Sequence, residues 1–218
     1  MTSDMILMKI YGKLFRTFGP QNWWPGDTPF EVAVGAILTQ NTNWANVEKA
    51  IENIKKAGAL SPDALHDMHR DELASLIRPA GYFNIKAKRL KHFISFLIDE
   101  YSGSMKKMRK EKLPIIREKL LSVNGIGPET ADSIILYALE KPVFVIDAYT
   151  RRVLSRHNIM DHDSSYNEFQ GLFHKGLKED AVLYNEYHAL FVRLAKEYCR
   201  TKPICAGCPL GPKNANDY

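Results

Sequence analysis

Apolar residues recur along most of the chain at helical spacing. After Asn84, the residues Leu90, Phe93, Ile94, Leu97 and Ile98 fall at i, i+3, i+4, i+7 and i+8, one stripe of an amphipathic helix, while Lys86, Lys88, Arg89 and Lys91 take the other face. Thr28-Pro29-Phe30-Glu31 has the form of a capping box with Pro at the first helical position, and it opens the apolar run Val32 to Leu38, which predicts a buried helix. Further helices are predicted at Asp63 to His66, Asp71 to Ile77, Pro114 to Ser122, Glu129 to Leu139, Ala148 to His157, Ser165 to Lys178 and about Ala181 to Tyr198. In the last of these, Tyr184, Tyr187, His188, Phe191, Leu194 and Tyr198 share one side, as a core-facing stripe does. Strand character is confined to Val143 to Ile146, a stretch between Pro142 and Asp147 too short to make a sheet. The pattern predicts an all-α fold. The basic run over 106–112, KKMRKEK, is expected to be a solvated connector.

Composition adds bounds. With 218 residues the chain has room for one or two compact domains, and 45% hydrophobic with 25% charged residues are globular proportions. No apolar run approaches the roughly 20 residues that span a bilayer, so a non-membrane protein is expected. The N-terminus, MTSDMILMKI, carries Asp4 and lacks both a basic leader and a small-residue cleavage site, which predicts a cytoplasmic protein. A formal charge of +5 favours polyanionic partners. Cys199, Cys205 and Cys208 are an odd number crowded at the C-terminal end, and in a reducing compartment that points to metal ligation rather than disulfides.

The candidate chemistry begins at Leu120-Leu121-Ser122-Val123-Asn124-Gly125-Ile126-Gly127-Pro128-Glu129-Thr130-Ala131, which joins two helices through a turn of Asn, two Gly and Pro. Glycine permits left-handed dihedrals and close backbone approach. Pro128 starts the second helix, whose first N–H groups carry partial positive charge and suit a phosphate. Turn chemistry alone leaves an ordinary helix–helix connection equally open. Asp147, ahead of Ala-Tyr-Thr, makes a good N-cap.

This segment resembles the helix-hairpin-helix of the DNA glycosylase superfamily that includes endonuclease III. In that family an apolar stretch ending in a catalytic aspartate follows the hairpin, and Val143-Phe144-Val145-Ile146-Asp147 stands at that place. The stretches PFEVAVGAILTQNT (29–42) and GYFNIKAKRL (81–90) are similar to corresponding parts of those enzymes, so the resemblance covers most of the chain. It implies a base-excision enzyme acting as a monomer on damaged double-stranded DNA, with Asp147 catalytic. The expected architecture is one helical domain from about Phe30 to Lys141 and a second made of 1–29 plus 142–218, with DNA over the groove between them. Gln40, Asn41, Gly125, Gly127, Thr130, Lys86, Lys88, Arg151 and Arg152 are the expected DNA contacts. A solvated surface is the alternative for the basic ones. The family's bifunctional members carry a lysine in the second hairpin helix that attacks the sugar as an amine. Here Glu129 stands at that position, and Lys119 and Lys141 do not match the motif, which implies a monofunctional enzyme with water as nucleophile.

Trp23-Trp24-Pro25, the LTQNT after the first helix, Arg78-Pro79-Ala80-Gly81 and the GIGPETAD hairpin look more like 3-methyladenine DNA glycosylase III than endonuclease III itself. In that subfamily, aromatic residues at the positions of Trp23 and Trp44 sandwich the alkylated base. The expected base pocket is therefore Trp23, Trp24, Pro25, Trp44 and Glu129, with coverage of the core as the alternative for the indoles. Gln40 stands at the family's wedge position, which fills the gap left by the flipped nucleotide. Capping its own helix is the alternative. The spacing Cys199-x5-Cys205-x2-Cys208-Pro resembles an iron–sulfur loop that holds a four-iron, four-sulfur cluster with four cysteines, of which three are present. The family's last spacing lands on Asn214, and Asp217 is a later carboxylate. A zinc site and a decayed loop stay open beside the cluster. The competing functions are a bifunctional glycosylase and abasic-site lyase on oxidised pyrimidines, and a non-catalytic hairpin module that anchors phosphates.

Overall fold

The computed structural model describes residues 3–23 and 26–211, and among these there are helices and turns but no strand. No helix among them is long and apolar enough to cross a membrane. The chain divides into two compact units, Trp24–Lys141 and Met1–Trp23 with Pro142–Tyr218.

The unit Trp24–Lys141 is built around α2 (Pro29–Leu38). Thr28 caps it by accepting a 3.1 Å hydrogen bond from the Glu31 N–H, Pro29 opens it, and Phe30 to Leu38 are all buried. A helix apolar on every side has to sit inside its domain, and α2 lies against α3 (Trp44–Lys56), α6 (Phe83–Tyr101) and the end of α9 (Pro128–Ser133). That end continues as a π turn over Ile134–Ala138, every residue of it buried. Short helices α4 (Pro62–Asp67) and α5 (Arg70–Leu76) pack on α6, and α8 (Leu113–Ser122) packs on α9. Arg117 and Asp132 join these last two by a bidentate pair, Nε to Oδ1 at 2.7 Å and a second guanidinium nitrogen to Oδ2 at 3.0 Å, with Asp132 wholly buried.

Helix α6 buries Leu90, Phe93, Ile94 and Leu97 as its stripe predicts. Its basic face does something other than face solvent. Lys86, expected at the DNA surface, is 1% exposed, and its Nζ donates to the carbonyls of Leu38 at 2.8 Å and Ala80 at 2.7 Å. Lys91 donates to the carbonyls of Leu65 at 2.8 Å and His66 at 2.7 Å, and also to Met68. These carbonyls end α2, the 3₁₀ turn Arg78–Ala80 and α4, where helix geometry leaves acceptors unpaired and the macrodipole is negative. The two lysines thus close helix ends inside their own unit, and Lys86 is withdrawn from any DNA contact. The run over 106–112 is also more than a connector. Its first part forms α7 (Met105–Arg109), held down by buried Met105 and Met108.

The other unit holds α1 (Ser3–Phe18), α10 (Ala148–Arg156), α11 (Tyr166–Gly176) and α12 (Ala181–Glu197). Leu7, Ile10 and Leu14 bury one face of α1, which packs on α11 and α12. The core is aromatic: Phe144 stacks on Phe173 with centroids 3.6 Å apart, and Tyr184 and Tyr187 meet Phe144 edge-on. Val143 to Ile146 are buried and form neither helix nor strand. Side chains satisfy their backbone instead. Phe144 N–H donates to His174 Nε2 at 3.0 Å, Gln170 donates to the Phe144 carbonyl at 2.7 Å, and Ile146 N–H donates to the Tyr166 hydroxyl at 3.3 Å. A buried backbone needs partners of some kind, and here they come from α11.

The surroundings of Lys86 disfavour its charge. Burial, reinforced by the Arg89 charge, pushes its ammonium down to about 8. The unfolded value is about 10.4. Between these two pH values the unfolded chain binds more protons than the folded one, so this residue's contribution to stability rises with pH across that window and is flat below it. Urea unfolding of the wild type and Lys86→Met should show a stability difference that grows by up to about 3 kcal/mol from pH 7 to pH 10. Parallel curves would contradict the burial of an ammonium at this site.

Candidate functional site

The hairpin between α8 and α9 is shaped by α6 and by the residue after the C-cap of α2. Gly125 has φ +93°, and a Cβ there would stand 2.3 Å from Cγ of Arg89 and 2.9 Å from its Cδ. Both facts demand glycine. Gly127 differs from the expected pattern, since at φ −91° and ψ 178° it is an extended N-cap with open space where a Cβ would stand. The turn is clasped from outside. His92 Nδ1 lies 3.0 Å from the Asn124 carbonyl, and Gln40 donates to the Gly125 carbonyl at 3.3 Å and to Thr130 Oγ1 at 2.9 Å. Arg89 in turn donates to the Gln40 amide oxygen. Gln40, Asn41, Arg89, Gly125, Ile126, Gly127, Glu129 and Thr130 together line one open depression. Thr130 is buried, whereas Asn41 and Glu129 face solvent. Arg89, read in the sequence only as part of a polar face, is the side chain that ties the wedge candidate to the hairpin.

Asp147 lies in the other unit as the N-cap of α10. Its Oδ1 accepts the Thr150 N–H at 2.7 Å, and its Oδ2 stands 3.5 Å from His188 Nε2 on α12. Its side chain is 13% exposed. Burial pushes the carboxyl upward, but the charge and hydrogen bond of His188, with the bond from Thr150, outweigh it and hold the group below the usual aspartate range. The result is an ionised carboxylate with little water around it, where charge acts at greatest strength.

The other expected residues divide in the same way. In the unit Trp24–Lys141, Trp44 begins α3 half-exposed, with Nε1 donating to Glu48 at 2.7 Å, and Lys88 is exposed. In the unit of Asp147, Trp23 is half-buried with the Lys196 ammonium 5.7 Å above its ring. Trp24 and Pro25 lie outside the described residues. Arg151 lies over Phe169 and donates to the Ser164 carbonyl at 2.8 Å, while Arg152 lies over Tyr149 and donates to the Cys199 carbonyl at 2.7 Å. Both line a hollow with Arg156 and His162.

The cysteines are not gathered as ligands. Cys199 is buried, Cys205 is exposed and Cys208 is half-buried, and among the described residues no three His, Cys, Asp or Glu stand close enough to hold a metal. Asn214 and Asp217, the candidates for a further ligand, lie outside the described residues. The loop is fastened by arginine: Arg156 donates to the Arg200 carbonyl at 2.5 Å, to the Thr201 carbonyl at 2.9 Å and to Cys199 Sγ at 3.4 Å.

The two hairpin glycines should respond differently to the same change. Gly125→Ala is expected to cost about 1–3 kcal/mol in denaturant unfolding, from strain at positive φ and the collision with Arg89. Gly127→Ala, free of positive φ and of any collision, should cost less, about 0.5–1 kcal/mol, from the poorer N-cap. Equal costs would contradict the clasp.

The model of the HhH-GPD superfamily of base excision DNA repair proteins matches residues 34–179. A protein of Methanocaldococcus jannaschii that carries the provisional name DNA repair glycosylase is 48% identical over 207 residues, which are 94% of this chain and 94% of that one. The H. pylori 3-methyladenine DNA glycosylase, solved with bound 1,N6-ethenoadenine, superposes with a TM-score of 0.78 at 31% identity, over 90% of this chain and 98% of that one. A trapped covalent intermediate of endonuclease III with DNA superposes with a TM-score of 0.82 over 96% of this chain and 94% of that one, and at 22% identity it speaks for the fold alone.

Proposed function

The chain belongs to the HhH-GPD superfamily of base excision DNA repair proteins and is a DNA glycosylase, and from that premise we propose that it is monofunctional, hydrolysing the N-glycosidic bond of an alkylated purine such as 3-methyladenine. The observation that carries this reading is Asp147, a carboxylate held ionised in a nearly dry setting. As the base departs with the electron pair of its glycosidic bond, positive charge develops on the sugar. A fixed carboxylate stabilises that charge, and a water then adds to the anomeric carbon and passes its proton to the Asp147 carboxylate, from which it leaves to solvent.

Two further observations support water, rather than an amine, as the nucleophile. The second hairpin helix offers Glu129 where a lyase would need an amine. Lys119, on α8, is tied to Glu100 at 2.9 Å and Glu111 at 3.4 Å, and the bond with Glu100 above all raises its pKa and keeps it protonated. A protonated lysine is no nucleophile. The alkylated purine is supported by the indoles and by the H. pylori relative that binds 1,N6-ethenoadenine. A cationic methylated purine stacks well on an electron-rich indole, with Trp23 and Trp44 as the candidate stacking residues. Gln40 and Asn41, the hairpin residues Gly125, Gly127 and Thr130, and the cations Lys88, Arg151 and Arg152 are the proposed DNA contacts. No step of the hydrolysis calls on a metal cluster.

Incubated with methylated DNA, the enzyme should release 3-methyladenine, and borohydride should trap no covalent adduct on abasic DNA. A strong adduct would make the enzyme a lyase, and release of oxidised pyrimidines instead would overturn the substrate. Trp44→Ala should lower the release rate at least about tenfold without loss of thermal stability. Binding to duplex DNA should discriminate the two lysines: Lys88→Ala is expected to reduce the salt slope by about 1, and Lys86→Met to leave it unchanged.

A further inference from the structure

We propose that His188 is a positioning residue for the glycosylase reaction, its Nε2–H fixing the Oδ2 oxygen of Asp147 so that the carboxylate is presented in one orientation. This rests on the reading of Asp147 as the catalytic carboxylate.

The geometry defines the task. The first turn of α10 satisfies the N-cap, with the Thr150 N–H on Oδ1 at 2.7 Å and the Thr150 hydroxyl adding a side-chain bond. It leaves rotation about the last side-chain bond of the aspartate, a broad and weakly restrained torsion. A second donor on the other oxygen removes that freedom, and His188 Nε2, 3.5 Å from Oδ2, is placed to be that donor. Hydrogen bonds of this kind are long in the absence of substrate and tighten in the reacting complex.

The surroundings of His188 favour this role over a merely structural one. The residue is 4% exposed, too deep to touch DNA, so it acts on the reaction only through what it contacts. It sits on the buried stripe of α12 with Tyr184, Tyr187 and Phe191, and its ring meets Phe144 edge-on at 6.4 Å. An aliphatic or phenyl side chain fills such a position with no polar atom to desolvate, whereas an imidazole costs free energy unless its N–H is used. The charge and hydrogen bond of His188 also oppose the upward pull of burial on the Asp147 carboxyl.

The test uses the full chain and the single-lesion duplex that the wild type cleaves fastest. Four proteins are compared: wild type, His188→Phe, which keeps the ring volume and removes the donor, His188→Gln, which restores an N–H at similar reach, and Asp147→Asn. Single-turnover base release, affinity for a duplex carrying a stable abasic-site analogue, and thermal stability are measured for each. His188→Phe should release base about 30-fold more slowly, with affinity within about twofold of wild type, and His188→Gln should recover most of the rate. A wild-type rate in His188→Phe would overturn the inference. So would a loss of rate in step with affinity and stability that His188→Gln does not repair. Asp147→Asn separates the two levels: if it retains the rate, the reading of Asp147 itself has failed, and if it is inactive while His188→Phe is not, the inference about His188 alone has failed.

Discussion

A carboxylate taken out of water loses its hydration, and unless donors replace that hydration it takes up a proton. Asp147 meets this constraint with the first turn of α10 on one oxygen and the imidazole of α12 near the other. The arrangement explains why the unit is built as it is. Val143 to Ile146 lead into Asp147 as a buried segment outside helix and strand, and such a segment needs its backbone satisfied. His174, Gln170 and Tyr166 supply that from α11. The stacked pair Phe144 and Phe173 then holds the segment against the helices whose side chains satisfy it.

The unit Trp24–Lys141 solves a related problem with cations. Several short helices end inside it, and each end exposes carbonyls that the interior cannot hydrate. Lys86 and Lys91 reach from one helix to three of those ends. Arg89, between them in sequence, lays its stem against Gly125 and gives its guanidinium to Gln40. The basic side of α6 therefore organises the hairpin and the loop before it. The Arg117–Asp132 pair fixes the two hairpin helices to each other by the same logic of buried charge met in kind.

Much of this was legible in the chain. The apolar stripes of α6 and α12, the capped α2 and the glycine turn follow from periodicity and turn chemistry, and Asp147 is visible as an N-cap. The catalytic role proposed for it comes through family resemblance, because a capping aspartate and a catalytic one look alike in sequence. What periodicity misplaced was direction. A lysine has an apolar stem and a polar head, so Lys86 on a polar face reads as solvated, and its actual partners, Leu38 and Ala80, are set by tertiary packing. His188 read as one more core position for the same reason, its partner lying on another helix. Helix α1 carries a readable stripe, Leu7, Ile10 and Leu14, and α3 carries another, Val47, Ala50, Ile51 and Ile54 behind the Asn43 cap. Arginines hold the described part of the cysteine loop by its carbonyls, partners that no spacing of cysteines announces.

The proposed hydrolysis depends on one charge being present at neutral pH in a nearly water-free place. Carbon-13 NMR of the aspartate carboxyls, with Asp147→Asn assigning the resonance, reads that charge directly. The Asp147 signal should titrate below the ordinary aspartate value of about 3.9, or remain that of a carboxylate to the lowest pH at which the fold persists. A titration above that value would mean that burial outweighs the donors, and would contradict an ionised Asp147 as the group on which base excision turns.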